Sequence, residues 1–389
     1  MRKYSSLFSQ LLAFFPRTEF ESMVKAHQAQ RCAKGFTCWQ QFVSMLFCQL
    51  ARACTLSEIT NGLATCEGKL RHLGIAAPKK STLSYANGHR PWELYQSVFF
   101  SLLSRTRSLA NCSKRKFRFK AKLYSIDMTV IDLCLSMYPW AHFRRAKGAV
   151  KLHLRLDHDG YLPDFAIVTH GKTHETKVAP QFPFHPGSIT VFDKGYIDFA
   201  LFGRLCEMEA FFVTRAKANF DYAVVSERKV APNSAVRCDQ MVRFQGPLTS
   251  KKCPHLLRIV TFYDEQGKRE FKFLTNNHSL APSTIAAIYK ERWAIEAFFR
   301  ALKQNLKIKT FVGTTATAVK TQIWTALISM LLLKYLQLKS TFGWSLSNLS
   351  ALLRFNLFTY RDLWAWVDKP YGTPPFHDPG PIQTSLNLA

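Results

Sequence analysis

The strongest constraint on the fold is a change of hydrophobic pattern at Leu123. From Ser5 to about Leu109, short apolar runs repeat with the period of a helix, and no segment is typical of a strand. Three segments rich in β-branched and aromatic residues follow: 123–133, 149–156 and 161–168. The last two are joined by Asp157-His158-Asp159-Gly160, which predicts a hairpin turn. The pattern therefore predicts a helical N-terminal region followed by antiparallel strands.

The middle of the chain continues as a mixture of strands and helices. Residues 188–192 and 210–214 are strand-like, and residues 199–208 between them have a helical pattern. A β-rich insertion is predicted at about 216–277, with strands at 222–230, 256–263 and 269–274. We therefore predict an α/β fold with a mixed sheet and divide the chain into three parts: a helical domain at 1–110, a core at 118–335, and C-terminal helices with a Pro-rich tail at 336–389.

The charge of the chain points to a polyanionic partner. It has 53 Lys and Arg against 26 Asp and Glu, a net charge of +27, while 47% of its residues are hydrophobic and supply a packed core. The most apolar run, Ile323 to Leu333, ends at Lys334 and is shorter than the roughly 20 residues that a bilayer requires. Ten scattered cysteines contain no Cys-x-x-Cys pair. A DNA-associated cytoplasmic protein with no membrane segment is the expectation.

Three acids lie where phosphate chemistry could use them. Asp127 interrupts the first predicted strand, and Asp193 ends the strand at 188–192, at the edge where α/β sheets usually hold ligands. If these strands are neighbours, the two carboxylates converge. Together with Glu296 they can hold two hard divalent cations through oxygen, one activating the attacking oxygen and one stabilising the leaving oxygen.

Glu296 belongs to a polar stripe on a predicted helix with Tyr289, Arg292 and Lys303. At about 100° per residue these four residues lie at roughly 0, −60, −20 and −40° around a single helix. An apolar face beside the stripe comprises Ile288, Ile295, Phe298, Phe299 and Leu302. A carboxylate between cations at the edge of a core suits metal-assisted phosphoryl transfer, although a solvated charged face would give the same pattern.

These motifs together resemble a known family. Tyr124-Ser125-Ile126-Asp127, then Val191 to Tyr196, then Tyr289-x-x-Arg292-x-x-x-Glu296 with Lys303, occur in the order found in bacterial insertion-sequence transposases of the DDE class. The chain is most similar to the insertion-sequence-four family, with its Tyr-Arg-Glu-Lys signature. This resemblance covers about 123–333 and implies a ribonuclease H-like catalytic core interrupted by a β-rich insertion.

The resemblance also implies a site, cofactors and partners. Asp127, Asp193 and Glu296 would be the catalytic metal ligands, and Tyr289, Arg292 and Lys303 would bind DNA phosphates. The cofactor would be two Mg²⁺ ions, for which Mn²⁺ could substitute. The partners would be double-stranded DNA, as terminal inverted repeats and target, and a second copy in a homodimer. The insertion departs from some relatives because no Trp lies between Trp140 and Trp293, so no base-stacking role is transferred to Phe220, Tyr222 or Tyr263.

Several other segments leave two interpretations open. Residues 55–63 and 81–87 could be a helix-turn-helix or two packing helices. The alternating basic and aromatic residues of 114–122 could follow a phosphate backbone or form a solvated edge. Asp132 should face away from Asp127. The cluster of His170, Lys172, His174 and Glu175 could line the cleft, but an exposed loop is the preferred interpretation. Two basic groups could contact DNA or lie in solvated loops: Arg144, Arg145 and Lys147; Arg215 and Lys217.

Two alternatives to a transposase remain at this stage. One is a catalytically inactive DNA-binding protein or repressor derived from a transposase. The other is a different nuclease on the same fold, against which the spacing from Tyr289 to Lys303 and the predicted insertion argue.

Overall fold

The N-terminal region is helical. The computed structural model describes residues 5–31, 33, 35–110, 116–144, 147–232, 234–308 and 310–372. Seven helices precede the sheet: α1 Leu7–Leu12, α2 Arg17–Ala26, α3 Cys38–Leu50, α4 Leu56–Ala64, α5 Glu67–Leu70, α6 Lys80–His89 and α7 Glu93–Ala110. Thr37 and Gln40 form a capping box at the start of α3, and Thr55 caps α4 by accepting from Glu58 N–H. The helical prediction, including the helices at 55–63 and 81–87, is confirmed.

The first part of the sheet is mixed. Its elements are β1 Leu123–Leu133, β2 His142–Arg144, β3 Lys147–Asp157, β4 Leu162–His170, α8 Glu175–Val178, β5 Ile189–Phe192, α9 Phe199–Glu207 and β6 Phe211–Arg215. β1, β3 and β4 pair antiparallel in sequence, as predicted. β5 pairs parallel with β1, and β6 pairs parallel with β5. β1 and β5 are therefore neighbours, which is the condition for Asp127 and Asp193 to converge.

The β-rich insertion extends this sheet rather than forming a separate one. It contributes β7 Tyr222–Glu227, β8 Val236–Phe244, α10 Pro247–Lys252, β9 Leu257–Asp264 and β10 Arg269–Thr275. The strand order is β2-β3-β1-β5-β6-β10-β9-β8-β7, with β4 also paired to β3, so ten strands form one sheet. The sequence predicted β7, β9 and β10 but not β8, whose alternating Arg237, Asp239 and Arg243 dilute its apolar pattern.

The helices after the sheet correct one prediction. They are α11 Pro282–Lys290, α12 Trp293–Asn305, α13 Ala316–Lys339, α14 Leu346–Asn356 and α15 Leu363–Asp368. The single helix predicted to carry Tyr289, Arg292, Glu296 and Lys303 is wrong, since it divides at Glu291 and Arg292. Across this junction Arg292 N–H bonds Tyr289 O and Ile295 N–H bonds Arg292 O, each spanning three residues instead of four. The Pro-rich tail after residue 372 lies outside the described residues.

Helices cover both faces of the sheet. α8 and α9 pack on one face through residues such as Phe192, Phe202 and Phe212, while α11, α12 and α13 cover the other. Among the described helices, only α13 is long and apolar enough to cross a membrane, and 83% of its apolar window is buried inside the protein. It is therefore a core helix, as predicted. The N-terminal helices, β1, β3 and α12 to α15 share one hydrophobic cluster with it.

Candidate active site

The three predicted acids come from three elements that meet on one face of the sheet. Asp127 is on β1, in a stretch where Leu123 and Ile131 pack with the helices on the α11 to α13 side. Asp193 directly follows the last residue of β5. Glu296 is in the first turn of α12, where the helix dipole favours a negative charge. Local structure thus directs all three carboxylates toward one region.

Arg292 joins two of these acids. Its Nη1 lies 3.1 Å from Asp127 Oδ2, and its Nη2 lies 2.6 Å from Glu296 Oε1. The guanidinium is 10% exposed, Asp127 17% and Glu296 32%, so the cluster lies at the rim of the core. The Nε of Arg292 is buried and makes no hydrogen bond. One guanidinium therefore contacts two carboxylates, and its Nε makes no hydrogen bond.

Asp127 is held in a partly desolvated environment. Burial raises its pKa to about 6, while the Met128 N–H, which donates to Oδ1 at 2.8 Å, and the charge of Arg292 act against that rise. The negative charges of Asp193 and Glu296 raise the pKa of Asp127 further. This mutual repulsion means that the three carboxylates interact electrostatically, as a common site requires.

Tyr289 connects the third acid to the same cluster. Its hydroxyl donates to Asp193 Oδ1 over a long 3.4 Å, and its ring packs 4.9 Å from that of Phe273. Burial raises the pKa of Tyr289 to about 12, against the charges of Arg292 and Arg215. Arg215, at the end of β6, is therefore close to the site. Its place at a strand end was compatible with this position but did not establish it.

Lys303 lies at the other end of the site. It is in the last turn of α12, and its Nζ donates to the backbone oxygen of Val130 at 2.9 Å. Val130 is three residues beyond Asp127 on β1, so Lys303 borders the same strand. The structure thus brings all six predicted site residues to one region, with Tyr289 and Arg292 on one side of the helix junction and Glu296 and Lys303 on the other.

The carboxylate oxygens of the cluster could be ligands of a metal ion, but the guanidinium of Arg292 lies among them. Within the described part of the chain, no three His, Cys, Asp or Glu side chains form a group compact enough to hold a metal ion. The chemistry of the donors fits hard divalent cations, which prefer carboxylate oxygen. Because Arg292 contacts Asp127 and Glu296, a cation shared by these acids requires the guanidinium to move away from at least one of them.

The other candidate residues mostly have structural contacts. Glu175 pairs with Lys151 at 2.8 Å, and His174 caps α8 by accepting from Thr176 N–H. Asp132 is exposed, as predicted, and so is Lys217. Arg145 lies outside the described residues, as do Lys114 and Arg115 of the basic and aromatic segment.

The described part of the basic and aromatic segment is largely engaged in contacts within the chain. Lys116 pairs with Glu291 at 2.5 Å, and the rings of Phe117 and Phe119 stack at 5.0 Å. Lys122 contacts Asp157 and Asp159 at 3.2 and 2.6 Å. Glu291, the partner of Lys116, directly precedes Arg292 in the chain and was not among the predicted site residues. This segment is therefore closer to the structural interpretation than to a free phosphate-binding strand.

Two family models match the chain. The family described as a transposase DDE domain matches residues 118–332, and a domain of unknown function (DUF4372) matches residues 3–76. A Sinorhizobium fredii protein named as transposase y4zB is 30% identical over 305 residues, which are 77% of this chain and 83% of that protein. A Geobacillus stearothermophilus protein named as transposase for insertion sequence element IS5377 is 30% identical over 281 residues, covering 71% and 72% of the two chains.

Two more distant proteins are also similar to the chain. A Synechocystis protein named as transposase for insertion sequence element IS4SA is 23% identical over 275 residues, 68% of this chain and 73% of that protein. A cryo-EM structure of the piggyBac transposase synaptic complex with hairpin DNA aligns with a TM-score of 0.45 and 11% identity, covering 97% of this chain and 84% of that one.

Proposed function

Because this chain belongs to the DDE transposase family, we propose that it cuts DNA at the ends of its own insertion sequence and joins the freed 3′ ends to target DNA. The premise is the family match over residues 118–332, more than half of the 389 residues. The observation that carries the proposal is the meeting of Asp127, Asp193 and Glu296 around Arg292 and Tyr289. Such a set of acids beside cations suits phosphoryl transfer.

The strand order supports a ribonuclease H-like core. β4, β3 and β1 are antiparallel neighbours, and β5 and β6 continue from β1 as parallel strands. This five-stranded part carries Asp127 and Asp193, and the insertion extends it beyond β6. We assign the chain more narrowly to the insertion-sequence-four family, on the spacing of Tyr289, Arg292, Glu296 and Lys303 and on the Synechocystis relative named for IS4SA.

DDE transposase domains generally use divalent metal ions, and we propose Mg²⁺ here, two ions per site, with Mn²⁺ as a substitute. Asp127, Asp193 and Glu296 would hold them. When bound, the ions would activate the attacking oxygen and stabilise the leaving oxygen. A guanidinium released from the acids would suit a phosphate oxygen, because it binds phosphate as well as carboxylate through charge-assisted hydrogen bonds.

The remaining residues position the substrate. Arg292, Tyr289 and Lys303 would hold phosphate oxygens of the strand to be cut, next to the acids that would hold the ions. In the first step water attacks that phosphorus and the 3′ oxygen of the element leaves with a proton as a hydroxyl. In the second step this hydroxyl attacks a target phosphodiester, which exchanges one ester bond for another. Positioning and charge neutralisation suffice, so no covalent protein intermediate is needed.

The partners follow from this reaction. The substrates are double-stranded DNA carrying the terminal inverted repeats, and target DNA, to which a net charge of +27 is suited. Joining two ends requires that they be held together, so we propose a homodimer on paired ends, acting in the cytoplasm at the nucleoid. The helical domain at 1–110, the core at 118–335 and the C-terminal part at 336–389 are proposed as the working divisions.

The test is cleavage of a labelled duplex carrying the DNA that flanks the coding sequence. Wild type should nick it at the element's ends in Mg²⁺ and not in EDTA, and Glu296→Gln should bind the duplex without nicking it. The matched control is Glu270→Gln, which removes the same charge from an exposed position on β10 and should nick normally. Wild-type nicking by Glu296→Gln would refute the role of this acid.

The alternative of an inactive DNA-binding protein is tested by the same assay. One observation favours it, since two of the three acids, Asp127 and Glu296, are paired with Arg292, and no compact metal-binding group forms among the described residues. It predicts that the wild type binds end DNA but does not nick it in Mg²⁺ or in Mn²⁺. Nicking that ignores the end sequence would instead favour a general nuclease.

A further inference from the structure

We propose that α6 reads the base edges of the element's end DNA, with Ser84 and Tyr85 on its contacting face; this inference rests on the proposed function. The helix lies within a segment without acids. From Gly68 to Trp92 there is no Asp or Glu, although 26 acids are spread over the 389 residues. The same segment carries five Lys or Arg residues: Lys69, Arg71, Lys79, Lys80 and Arg90. Its charge therefore complements a polyanion. Residues 77–117, which include α6, also lie outside both matched family ranges.

One edge of α6 is fixed in the core, which leaves the other edge rigid and exposed. Leu83 and Ala86 are buried, and Asn87 accepts a hydrogen bond from Gln41 Nε2 at 2.9 Å. The opposite edge is exposed and comprises Ser81, Ser84, Tyr85 and His89. These positions, spaced by three and four residues, form one stripe on the helix. A rigid helix of hydroxyl and aromatic side chains fits a major groove about 12 Å wide.

Tyr85 is the clearest sign that this face has a partner. It is 68% exposed, among the largest exposures of any large hydrophobic side chain in the described residues. Its ring stacks on that of His89, with centroids 4.0 Å apart and planes 15° apart. The pair is thus held in a defined orientation although it has no core to fill. Beside it, a groove of about 480 Å³ is lined by Arg31 and Arg90 as well as Tyr85 and His89, which supplies cations next to the reading face.

The linker before α6 argues against the helix-turn-helix interpretation. α4 ends at Ala64 and α6 begins at Lys80, so fifteen residues separate them, including α5. A helix-turn-helix has a turn of about 3–4 residues. α6 is therefore presented as a single reading helix, with Lys79 and Lys80 at its exposed start.

The position of α6 relative to the acid cluster is set by direct packing. A Cβ at Gly88 would lie 3.6 Å from Thr315 Oγ1, at the start of α13. The neighbouring Thr314 oxygen accepts from Trp140 Nε1 at 2.7 Å. α13 shares one hydrophobic cluster with α12, which carries Glu296 and Lys303. The distance between the base pairs that α6 reads and the phosphate that is cut is therefore fixed by the fold rather than by a flexible linker.

The experiment is competition binding in EDTA, where no cleavage can occur, between a duplex carrying the element's end and a scrambled duplex of equal length. The variants are Ser84→Asp and Tyr85→Ala on α6. The control is Ser104→Asp, the same change at an exposed position of α7. Wild type and the control should prefer the end duplex. Both α6 variants should lose about tenfold or more of that preference, the value of one base contact. Thermal unfolding of each variant checks that the fold is kept.

Two results would overturn the inference. One is a preference in both α6 variants equal to that of Ser104→Asp, and the other is a wild type that does not distinguish the two duplexes. Failure of the proposed function has a different signature, because it would appear as absence of Mg²⁺-dependent nicking by the wild type, whatever the binding ratios in EDTA.

Discussion

Two buried arginines bind carboxylates in very different ways. Arg258, in the insertion, is fully buried, and its Nε and Nη2 each lie 2.7 Å from an oxygen of Asp239. Its Nη1 donates to the backbone oxygens of Asn277 and Leu280 at 3.2 and 2.6 Å. Arg292, at the candidate active site, divides two contacts between Asp127 and Glu296 and leaves Nε without a partner.

From this difference we interpret the Arg258 pair as structural and propose that the Arg292 cluster is functional. A saturated, bidentate pair such as Arg258 with Asp239 cannot change partners without breaking several hydrogen bonds. The Arg292 cluster is partly exposed and makes one contact with each acid, so exchanging a carboxylate for a phosphate would break fewer hydrogen bonds. We expect changes in the first pair to affect stability and changes in the second cluster to affect catalysis.

The largest expected effect is loss of cleavage in Asp127→Asn. Removing a carboxylate that we propose to be catalytic should slow nicking at least about a thousandfold, a barrier increase of about 4 kcal/mol. Since burial raises the pKa of Asp127, its charged form opposes folding at pH 7, so the substitution should not lower the free energy of unfolding. Nicking rates and urea denaturation measure the two quantities.

The control for Asp127→Asn is Asp132→Asn, on the exposed face of the same strand. It should leave both cleavage and stability unchanged. A loss of several kcal/mol of stability in Asp127→Asn would contradict the comparison, because it would make the active-site cluster structural.

The same substitution in the insertion should have the opposite result. Asp239→Asn leaves the buried Arg258 without a neutralising charge and should reduce the free energy of unfolding by about 3 kcal/mol. Asp264→Asn serves as control, since Asp264 lies 3.9 Å from an exposed Arg269 and such pairs contribute about 0–1 kcal/mol. Denaturant unfolding of both variants decides the matter. Equal free energies of unfolding for the two variants would show that the ion pair of Arg258 with Asp239 does not stabilise the fold.

How far the sequence predicted these two regions follows from their local signals. The convergence of Asp127 and Asp193 could be predicted because strand ends place side chains by simple periodicity. Glu296 was chosen from its spacing on a single helix, which divides at 291–292, and from the family resemblance. The Arg258–Asp239 pair was not predicted, because it joins two strands whose register the sequence does not reveal, and β8 itself was missed. Likewise, the contact of Arg292 with the acids depends on the helix junction at 291–292, which needs tertiary contacts to form and has no local breaker such as Pro or Gly.

The free energy of unfolding, rather than cleavage, should depend on pH through a buried histidine. His158 bonds Ser125 Oγ at 2.7 Å, and burial lowers its pKa to about 4. Because the folded pKa lies below the ordinary 6.5, the unfolded chain binds more protons between these values. Stability is therefore full above about pH 6.5 and falls as the pH drops toward 4, by about 3 kcal/mol from this residue.

His158→Gln tests this contribution because it keeps a hydrogen-bonding side chain but cannot titrate. Its free energy of unfolding should depend on pH less steeply than that of wild type between pH 6.5 and 4. Parallel curves for the two proteins would exclude His158 as the source. Cleavage near pH 7.5 should be retained, since His158 in the wild type and the Gln in the variant are both uncharged at that pH.

The smallest effect is expected for Tyr289→Phe, which removes only the long 3.4 Å hydrogen bond to Asp193. The ring is retained against Phe273, so the free energy of unfolding should change by less than about 1 kcal/mol. Nicking should slow by about tenfold or less, the range of one weak hydrogen bond to a charged group. Tyr263→Phe, in the insertion, controls for loss of a tyrosine hydroxyl distant from the acids. A large loss of stability in Tyr289→Phe would mean that the hydrogen bond to Asp193 is structural, like those of the Arg258 pair. The functional role proposed for the cluster would then be limited to Arg292 and the two acids it contacts.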